Sequence, residues 1–252
     1  DKLESKYQPA ILPEINSENF LQVKVDEKIC SRYTALVISG IKIGPSPEWM
    51  QARLKSIGLR PINNIVDLTN YLMFDMGQPL HVFDFDKIEG AAMSVRASQE
   101  GESVQTLDDQ TWKLPAGMPV IGDRQKLIDL AGIMGGKNSE VGEATQAIVF
   151  QAASFVPLAV RKASRKLGHR TDAVGIYEKG VDPELTIPTL AKGLQLLQQM
   201  IPGIQVKQLI DINKTQAEPT VIEFDPQLVE KMIGIKVDIE QVLSLSSNLS
   251  SG

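Results

Sequence analysis

The stretch of sequence that decides the fold is GLRPINNIVDLTNY (58–71), continued by GQPLHVFD (77–84). It is dense in Gly, Asn, Pro and Asp at positions where a plain core would carry aliphatic side chains, and polar residues gathered in this way usually line sites. Within it, apolar side chains recur at helical spacing and Gly77 lies just beyond them, which predicts a helix over about 64–74. His81 is therefore expected just past the end of a helix.

Two later segments share this composition. One is LAGIMGG (130–136), and the other is GHRTDA (168–173), which leads into YEKGVDP (177–183). Paired glycines allow close approach of backbone to a ligand, although a simple tight turn uses them equally well.

Around these segments the pattern alternates between short strands and helices. Val, Ile and Thr predict two strands over 21–43. Ser46 followed by Pro47 predicts a helix start, with the Ser46 hydroxyl capping free amides. Further elements are predicted as strands at 93–97, 103–107, 111–114, 119–121, 127–131, 147–152 and 204–212, and as helices at 156–167 and 183–200. The chain is thus expected to be α+β, a β-rich body flanked by helices.

The last part of the chain is expected to be separate. A polar linker is predicted at 213–219, and residues 220–252 are too short for a core of their own. A strand at 221–224, a helix at 226–233 and a second helix from Asp238 predict the truncated start of a further domain after a first domain at 1–212.

Composition excludes several classes of protein. The 252 residues carry 31 acidic and 26 basic side chains, a net charge of -5, which argues against a uniformly positive nucleic-acid-coating face. Cys30 is the single cysteine and His81 and His169 are the two histidines, so neither a disulfide nor a Cys/His metal site is expected. No apolar run approaches the roughly 20 residues of a membrane span. We expect a cytoplasmic protein.

Together and in this order, the three segments resemble the third and fourth domains of the phenylalanyl-tRNA synthetase beta subunit, over about 28–212. The resemblance implies one mixed, largely antiparallel α+β body that houses a hydrolytic editing pocket. It also implies tRNA(Phe) and a synthetase alpha subunit as partners in an α2β2 enzyme. ATP and magnesium would serve aminoacylation in that alpha subunit, and no cofactor is expected in this chain.

An editing pocket answers a specific problem of recognition. Tyrosine is phenylalanine with one added hydroxyl, and an apolar pocket rejects such an analogue only about a hundredfold. A second site that hydrogen-bonds the phenol would leave a polar group unpaired with phenylalanine, at a cost of roughly 1 to 3 kcal/mol.

The resemblance assigns substrate contacts to five positions. Gln151 matches the residue, commonly Glu in the family, that recognises the tyrosine hydroxyl; an ordinary polar strand residue is the alternative. Backbone amides at Gly135 and Gly136 would hold the aminoacyl group. Thr171 and Ala173 match the pocket wall, although Thr171 is equally suited to cap a turn.

Catalysis is expected to use a positioned water, because no Ser-His-Asp or Cys-His pattern is evident. The resemblance places His81, Asn70 and Asn64 at the corner where the ester and that water would sit. A histidine of near-neutral pKa could orient or deprotonate the water, and a structural histidine is the alternative. Arg60 is expected either to contact the terminal adenosine or phosphate, or to pair with a carboxylate such as Asp67 or Asp84.

Three functions remain open at this point. The first is hydrolytic editing of tyrosyl-tRNA(Phe). The second is a noncatalytic structural and tRNA-contacting module with weakened editing, which Gln151 favours. The third is a free-standing small-molecule-binding protein of the same fold. A basic stripe of Lys162, Arg165, Lys166 and Arg170 suits tRNA phosphates or a solvated helix face.

Overall fold

The structure, a computed structural model, describes residue 12 and residues 19–215 and 224–249. The strands are β1 Gln22–Val25, β2 Cys30–Ser39, β3 Leu80–Asp84, β4 Ala92–Ala97, β5 Ser103–Gln105, β6 Thr111–Lys113, β7 Pro119–Gly122, β8 Leu127–Leu130, β9 Met134–Gly135, β10 Ala147–Phe155 and β11 Gln205–Asn213. The helices are α1 Glu48–Ser56, α2 Asn64–Met76, α3 Pro157–Leu167, α4 Asp172–Tyr177, α5 Thr186–Met200, α6 Pro226–Ile233 and α7 Ile239–Leu249.

One sheet has the strand order β11-β2-β10-β3 and is antiparallel throughout. Because side chains alternate between faces along a strand, each buried strand serves two apolar layers. On β2, Leu36 and Ile38 belong to the hydrophobic cluster that contains helix residues of α1, α2 and α5, whereas Ala35 and Val37 belong to a second cluster. This sheet therefore divides the core into two layers.

A second sheet has the order β1-β4-β7-β8-β9. Its β1–β4 pair is parallel and its other pairs are antiparallel. Its buried residues share the second cluster with one face of β2, β3 and β10, so the two sheets pack face to face. Sheets and helices together confirm the expected α+β class with a largely antiparallel β body.

Helix α2 is close to its predicted bounds. Its first turn is capped by Asn63, whose side-chain oxygen accepts from the amides of Ile65 and Val66 at 3.0 and 2.9 Å, and Gly77 ends it in the left-handed conformation. The prediction that the Ser46 hydroxyl caps α1 is wrong. That hydroxyl donates to the buried carboxylate of Asp67, and α1 begins without a side-chain cap.

Three elements in the polar segments were not predicted from sequence, and one of them is strand β3, which carries His81. The GIMGG run contains the short strand β9, which the pattern indicates only as a turn, and the run after Gly168 contains the short helix α4. Both are too short to show a periodicity of their own. They matter because they close the site described below.

The described chain divides into two compact units, and the larger ends at Thr215, inside the predicted linker. The other unit contains α6 and α7, where the helices at 226–233 and from Asp238 were predicted. The predicted strand at 221–224 lies almost entirely outside the described residues. No helix in the described ranges is long and apolar enough to cross a membrane.

Candidate functional site

A small inner pocket of about 60 Å³ lies where the two sheets meet α4. The five-stranded sheet contributes Asp129, Met134 and Gly135, and the four-stranded sheet contributes His81 and Gln151. The remaining lining residues are Pro79, Leu80, Gly132, Ile133, Phe155, Ala173 and Tyr177. The pocket is thus built largely from the three polar segments of the sequence, and β10 adds Gln151.

An outer groove of about 400 Å³ adjoins this inner pocket. The two share Pro79, Leu80, His81, Ile133, Met134, Gly135 and Ala173. Helix α2 adds Thr69, Asn70 and Met73 to the groove. Since pockets for small ligands are concave and mostly apolar with a few placed polar groups, the inner pocket suits the end of a ligand side chain and the groove suits the rest of the ligand.

His81 stands at the junction of pocket and groove. A Cβ atom built on Gly135 would lie 2.2 Å from its Cε1 and 2.7 Å from its Nε2, so only glycine fits at position 135. The imidazole also makes a T-shaped contact with the Phe83 ring, with ring centroids 4.5 Å apart. Gly135 and Phe83 are thus both packed against the imidazole.

The charge of His81 differs from the expectation. Burial lowers the pKa of His81 to about 4, because the low-dielectric surroundings disfavour the imidazolium. The expected near-neutral pKa is therefore wrong. At pH 7 the ring is neutral, with one nitrogen that donates and one that accepts.

Gln151 lies directly opposite His81 in the β3–β10 pairing, on the face of β10 that meets the five-stranded sheet. The side chain is 2% exposed, and its Oε1 has no hydrogen-bond partner among the described residues. A buried acceptor left unpaired costs about 1–3 kcal/mol, so it requires an explanation. The position of Gln151 on the pocket wall explains the unpaired oxygen, because a hydrogen-bond donor on a bound ligand would satisfy it.

Asp129 is a pocket residue that the sequence analysis missed. It lies in the strand LIDL (127–130), all of which is buried, and is itself 4% exposed. Neither a hydrogen bond nor a cation in the described part of the chain offsets this burial, and desolvation raises the pKa of Asp129 well above its usual range. The available signal was a carboxylate inside an otherwise apolar strand.

The back wall of the pocket is aromatic and was also missed. Tyr177 donates its hydroxyl to the Pro79 carbonyl at 3.0 Å. Its ring makes a T-shaped contact with the ring of Phe155, with the ring centroids 5.1 Å apart. Gly132, with φ +75, lies so close that a Cβ there would be 3.1 Å from Phe155 and 3.3 Å from Tyr177. These contacts fix α4 against β10.

Thr171 and Ala173 both line the outer groove. Thr171 both caps α4, accepting from the Val174 amide at 3.2 Å, and lines the outer groove. Its hydroxyl also donates to the Ile133 carbonyl at 2.9 Å. Ala173 lines both cavities. Capping and wall-forming roles, weighed as alternatives for Thr171, therefore coexist.

Three of the candidate site residues line neither the inner pocket nor the groove, namely Asn64, Gly136 and Arg60. Asn64 is engaged with backbone, accepting from the Gly44 amide at 3.1 Å and donating to the Lys42 carbonyl at 3.0 Å. The amide of Gly136 already donates to the Ile128 carbonyl at 2.9 Å, and a Cβ there would meet that oxygen at 2.4 Å. The hydrogen bonds of Asn64 and Gly136 therefore hold neighbouring backbone segments of the protein together.

Arg60 is exposed and forms no ion pair with either expected carboxylate in the described chain. Asp67 accepts from the Ser46 hydroxyl and the Ile62 amide, and Asp84 accepts from Thr145 and pairs with Lys87. The predicted alternative of an ion pair is wrong.

The basic stripe is solvent-exposed on and after α3. In it, Arg170 pairs with Glu178 at 2.8 Å. Cys30 is fully buried, and burial raises its pKa to about 12, so it is inert as a nucleophile. No cluster of acidic, His or Cys side chains suited to a metal ion occurs among the described residues.

An α+β body with a pocket between its sheets, into which the unpaired Oε1 of Gln151 is buried, has the architecture of a domain with a candidate ligand site. The model of the B3/4 domain matches residues 29–202, more than half of the chain, and the chain therefore belongs to the B3/4 domain family.

Named relatives agree with this assignment. The phenylalanine–tRNA ligase beta subunit of Clostridium acetobutylicum is 41% identical over 227 residues, 90% of this chain and 29% of the relative. That of Protochlamydia amoebophila is 44% identical over 197 residues, 78% of this chain and 24% of the relative. The resemblance to that beta subunit is thus confirmed. The chain spans less than a third of the length of these relatives.

Among solved structures, an N-terminal fragment of the phenylalanyl-tRNA synthetase beta subunit from Pyrococcus horikoshii is 13% identical, with a TM-score of 0.46. The match covers 95% of this chain and 67% of that one. At this level the similarity carries no argument about function.

Proposed function

We propose that this chain is the editing portion of a phenylalanyl-tRNA synthetase and hydrolyses tyrosyl groups wrongly attached to tRNA(Phe). The observation that carries the proposal is the unpaired Oε1 of Gln151 in the inner pocket. A phenol hydroxyl can donate to that oxygen, whereas the ring of phenylalanine leaves it unpaired. Selection of tyrosine by hydrogen bonding is the discrimination that an apolar synthetic pocket lacks.

The reaction assigned to this site is direct attack of water on the ester carbon. The carbon–oxygen bond to the ribose breaks, releasing tyrosine and a tRNA with a free terminal hydroxyl. The neutral imidazole of His81, at the junction of pocket and groove, would accept a hydrogen bond from the water and orient it. With a pKa of about 4 it is a weak base, so orientation is its main contribution.

A covalent route has no support in the described chain. Cys30 is fully buried and lines neither cavity. Asn70 lines the outer groove, where the ester and the terminal ribose would lie if the tyrosyl ring fills the inner pocket. Asn70 is therefore the second polar side chain we assign to the ester.

The partners, the compartment and the cofactors in this proposal follow from the name of the relatives. In this proposal tRNA(Phe) and a synthetase alpha subunit are the partners in the cytoplasm, and aminoacylation with ATP and magnesium belongs to the alpha subunit. The exposed cations of α3 and the loop after it are the natural contacts for tRNA phosphates.

Deacylation of tyrosyl-tRNA(Phe) tests the proposal, with this chain and with a complete synthetase that contains it. We expect the complete enzyme to release tyrosine well above the buffer rate and to spare phenylalanyl-tRNA(Phe). If it matches the buffer rate, the editing proposal is wrong. Failure of the chain alone, beside an active complete enzyme, would show that tRNA-anchoring parts lie elsewhere.

A noncatalytic, tRNA-contacting module is the alternative, favoured by glutamine at position 151 where the family commonly has glutamate. It predicts tRNA binding that weakens on removal of Lys162 and Arg165, without hydrolysis. A tRNA-binding but inactive complete enzyme would select this alternative.

A further inference from the structure

A second polar group in the inner pocket is unaccounted for by the family pattern. Asp129 and Gln151 line the same cavity of about 60 Å³, one from β8 and the other from β10. They lie on opposite sheets, linked through neighbours: Asp129 pairs with Gly135 across β8–β9, and Gln151 pairs with His81 across β3–β10. Gly135 in turn packs against His81, so the four residues form one continuous wall.

We propose that the carboxyl group of Asp129 is a specificity-determining group of this pocket, which contacts the phenol hydroxyl of the substrate together with Gln151. The inference rests on the proposed function and deepens it. It assigns to β8 the acidic group that the family commonly carries at the position of Gln151.

The hydrogen-bonding capacities of the two side chains are complementary. Gln151 presents an acceptor, Oε1, that has no partner among the described residues. Burial without a nearby cation raises the pKa of Asp129 and so favours its protonated form, in which it presents an O–H donor. A phenol hydroxyl both donates and accepts, and it can therefore satisfy both groups at once.

The lack of partners around Asp129 argues against a purely stabilising role for its carboxyl group. A buried carboxyl retained for stability is normally paired with a cation or with several donors. Asp84 in this molecule is such a case, since it accepts from the Thr145 hydroxyl at 2.7 Å and pairs with Lys87. Asp129 has neither kind of partner in the described chain, and the neighbouring pocket residue Tyr177 donates its hydroxyl to the Pro79 carbonyl instead.

Calorimetric binding of L-tyrosinamide and L-phenylalaninamide to this chain tests the proposal. Both are stable mimics of the aminoacyl ester and differ by the phenol hydroxyl alone. We expect the wild type to prefer tyrosinamide about tenfold, the value of one or two buried hydrogen bonds. Asp129→Ala should reduce the preference to below about threefold, whereas Asp129→Asn, which keeps a neutral donor, should retain most of it.

Two further variants sharpen the result. Adding Gln151→Glu to Asp129→Ala should restore the preference, because a carboxyl returns to the pocket from the other sheet. Asp84→Asn, a change to a buried carboxyl outside the pocket, is the matched control and should keep the wild-type preference.

An unchanged preference in Asp129→Ala overturns the role of Asp129 and leaves the editing proposal intact. Absence of any preference in the wild type overturns it as well, and the deacylation assay then decides separately on editing. Should Asp129→Ala fail to fold, a crystal of the wild type with tyrosinamide decides: the phenol oxygen must lie within hydrogen-bond distance of the Asp129 carboxyl, and any other position refutes the proposal.

Discussion

Two clusters of polar side chains in this protein differ in how their hydrogen-bonding groups are satisfied. The first, the α2 corner, comprises Ser46, Asn64 and Asp67, and in it Asp67 accepts from the Ser46 hydroxyl and from the Ile62 amide at 2.7 Å. The second is the inner pocket with His81, Asp129 and Gln151, where Gln151 Oε1 is unpaired and Asp129 lacks an offsetting partner in the described chain.

This difference distinguishes polar residues that stabilise the fold from polar residues that are available to bind a ligand. Hydrogen bonds satisfied within the chain rigidify a local fold, and unsatisfied ones are a cost that a ligand can repay. Natural proteins accept local destabilisation at sites where activity needs it. Changes in the α2 corner should therefore lower stability, and changes in the pocket should alter recognition more than stability.

The largest effect is expected at the α2 corner. Asp67→Ala leaves a buried hydroxyl and a backbone amide without their acceptor and should lower the free energy of unfolding by about 3 to 4 kcal/mol. Urea denaturation measures the loss. Deacylation per folded molecule should stay within about twofold of the wild type, and a larger drop would show that the corner belongs to the site.

Gly135→Ala should produce the next largest effect, now on activity. A Cβ there would lie 2.2 Å from His81 Cε1, and the imidazole must move. A displacement of about 1 Å of a positioning group costs about a hundredfold in rate, equivalent to about 2.7 kcal/mol. Gly142→Ala is the matched control, because no atom lies within 4 Å of a Cβ at that position. Equal rates for the two variants would remove His81 from the mechanism.

The sequence predicted helix α2 and its end at Gly77 closely, because apolar periodicity and a left-handed glycine are local signals. Its polar segments also supply most of the residues that line the inner pocket. The sequence could not distinguish Asn64 from Asn70, since which amide faces backbone and which faces the groove depends on tertiary packing. Asp129 was missed for the same reason: the surroundings of a strand residue come from the opposite sheet.

The pH dependence of stability should show the burial of His81. Its pKa of about 4 in the folded chain lies below the ordinary value of 6.5, so the unfolded chain takes up the proton first. The stabilisation is complete above pH 6.5 and is lost as pH falls toward 4, by at most about 3 kcal/mol. Urea denaturation of His81→Gln should lose this component, and that of His169→Gln should retain it.

Asp129→Asn should have the smallest effect on the free energy of unfolding, and it should raise that free energy where the preceding changes lower stability or activity. The pKa of Asp129 is raised on folding, so its contribution is most favourable below the unfolded value near 4 and is lost as pH rises. A neutral amide of the same shape avoids that loss and should raise the free energy of unfolding at pH 7.5, with little change at pH 4.

Asp84→Asn provides the contrast, because the carboxylate of Asp84 already has Thr145 and Lys87 as partners and its loss should not stabilise the fold. If Asp129→Asn is destabilising at pH 7.5, then Asp129 is paired within the protein. The inner pocket would then resemble the α2 corner, and the distinction between the two clusters would rest on Gln151 alone.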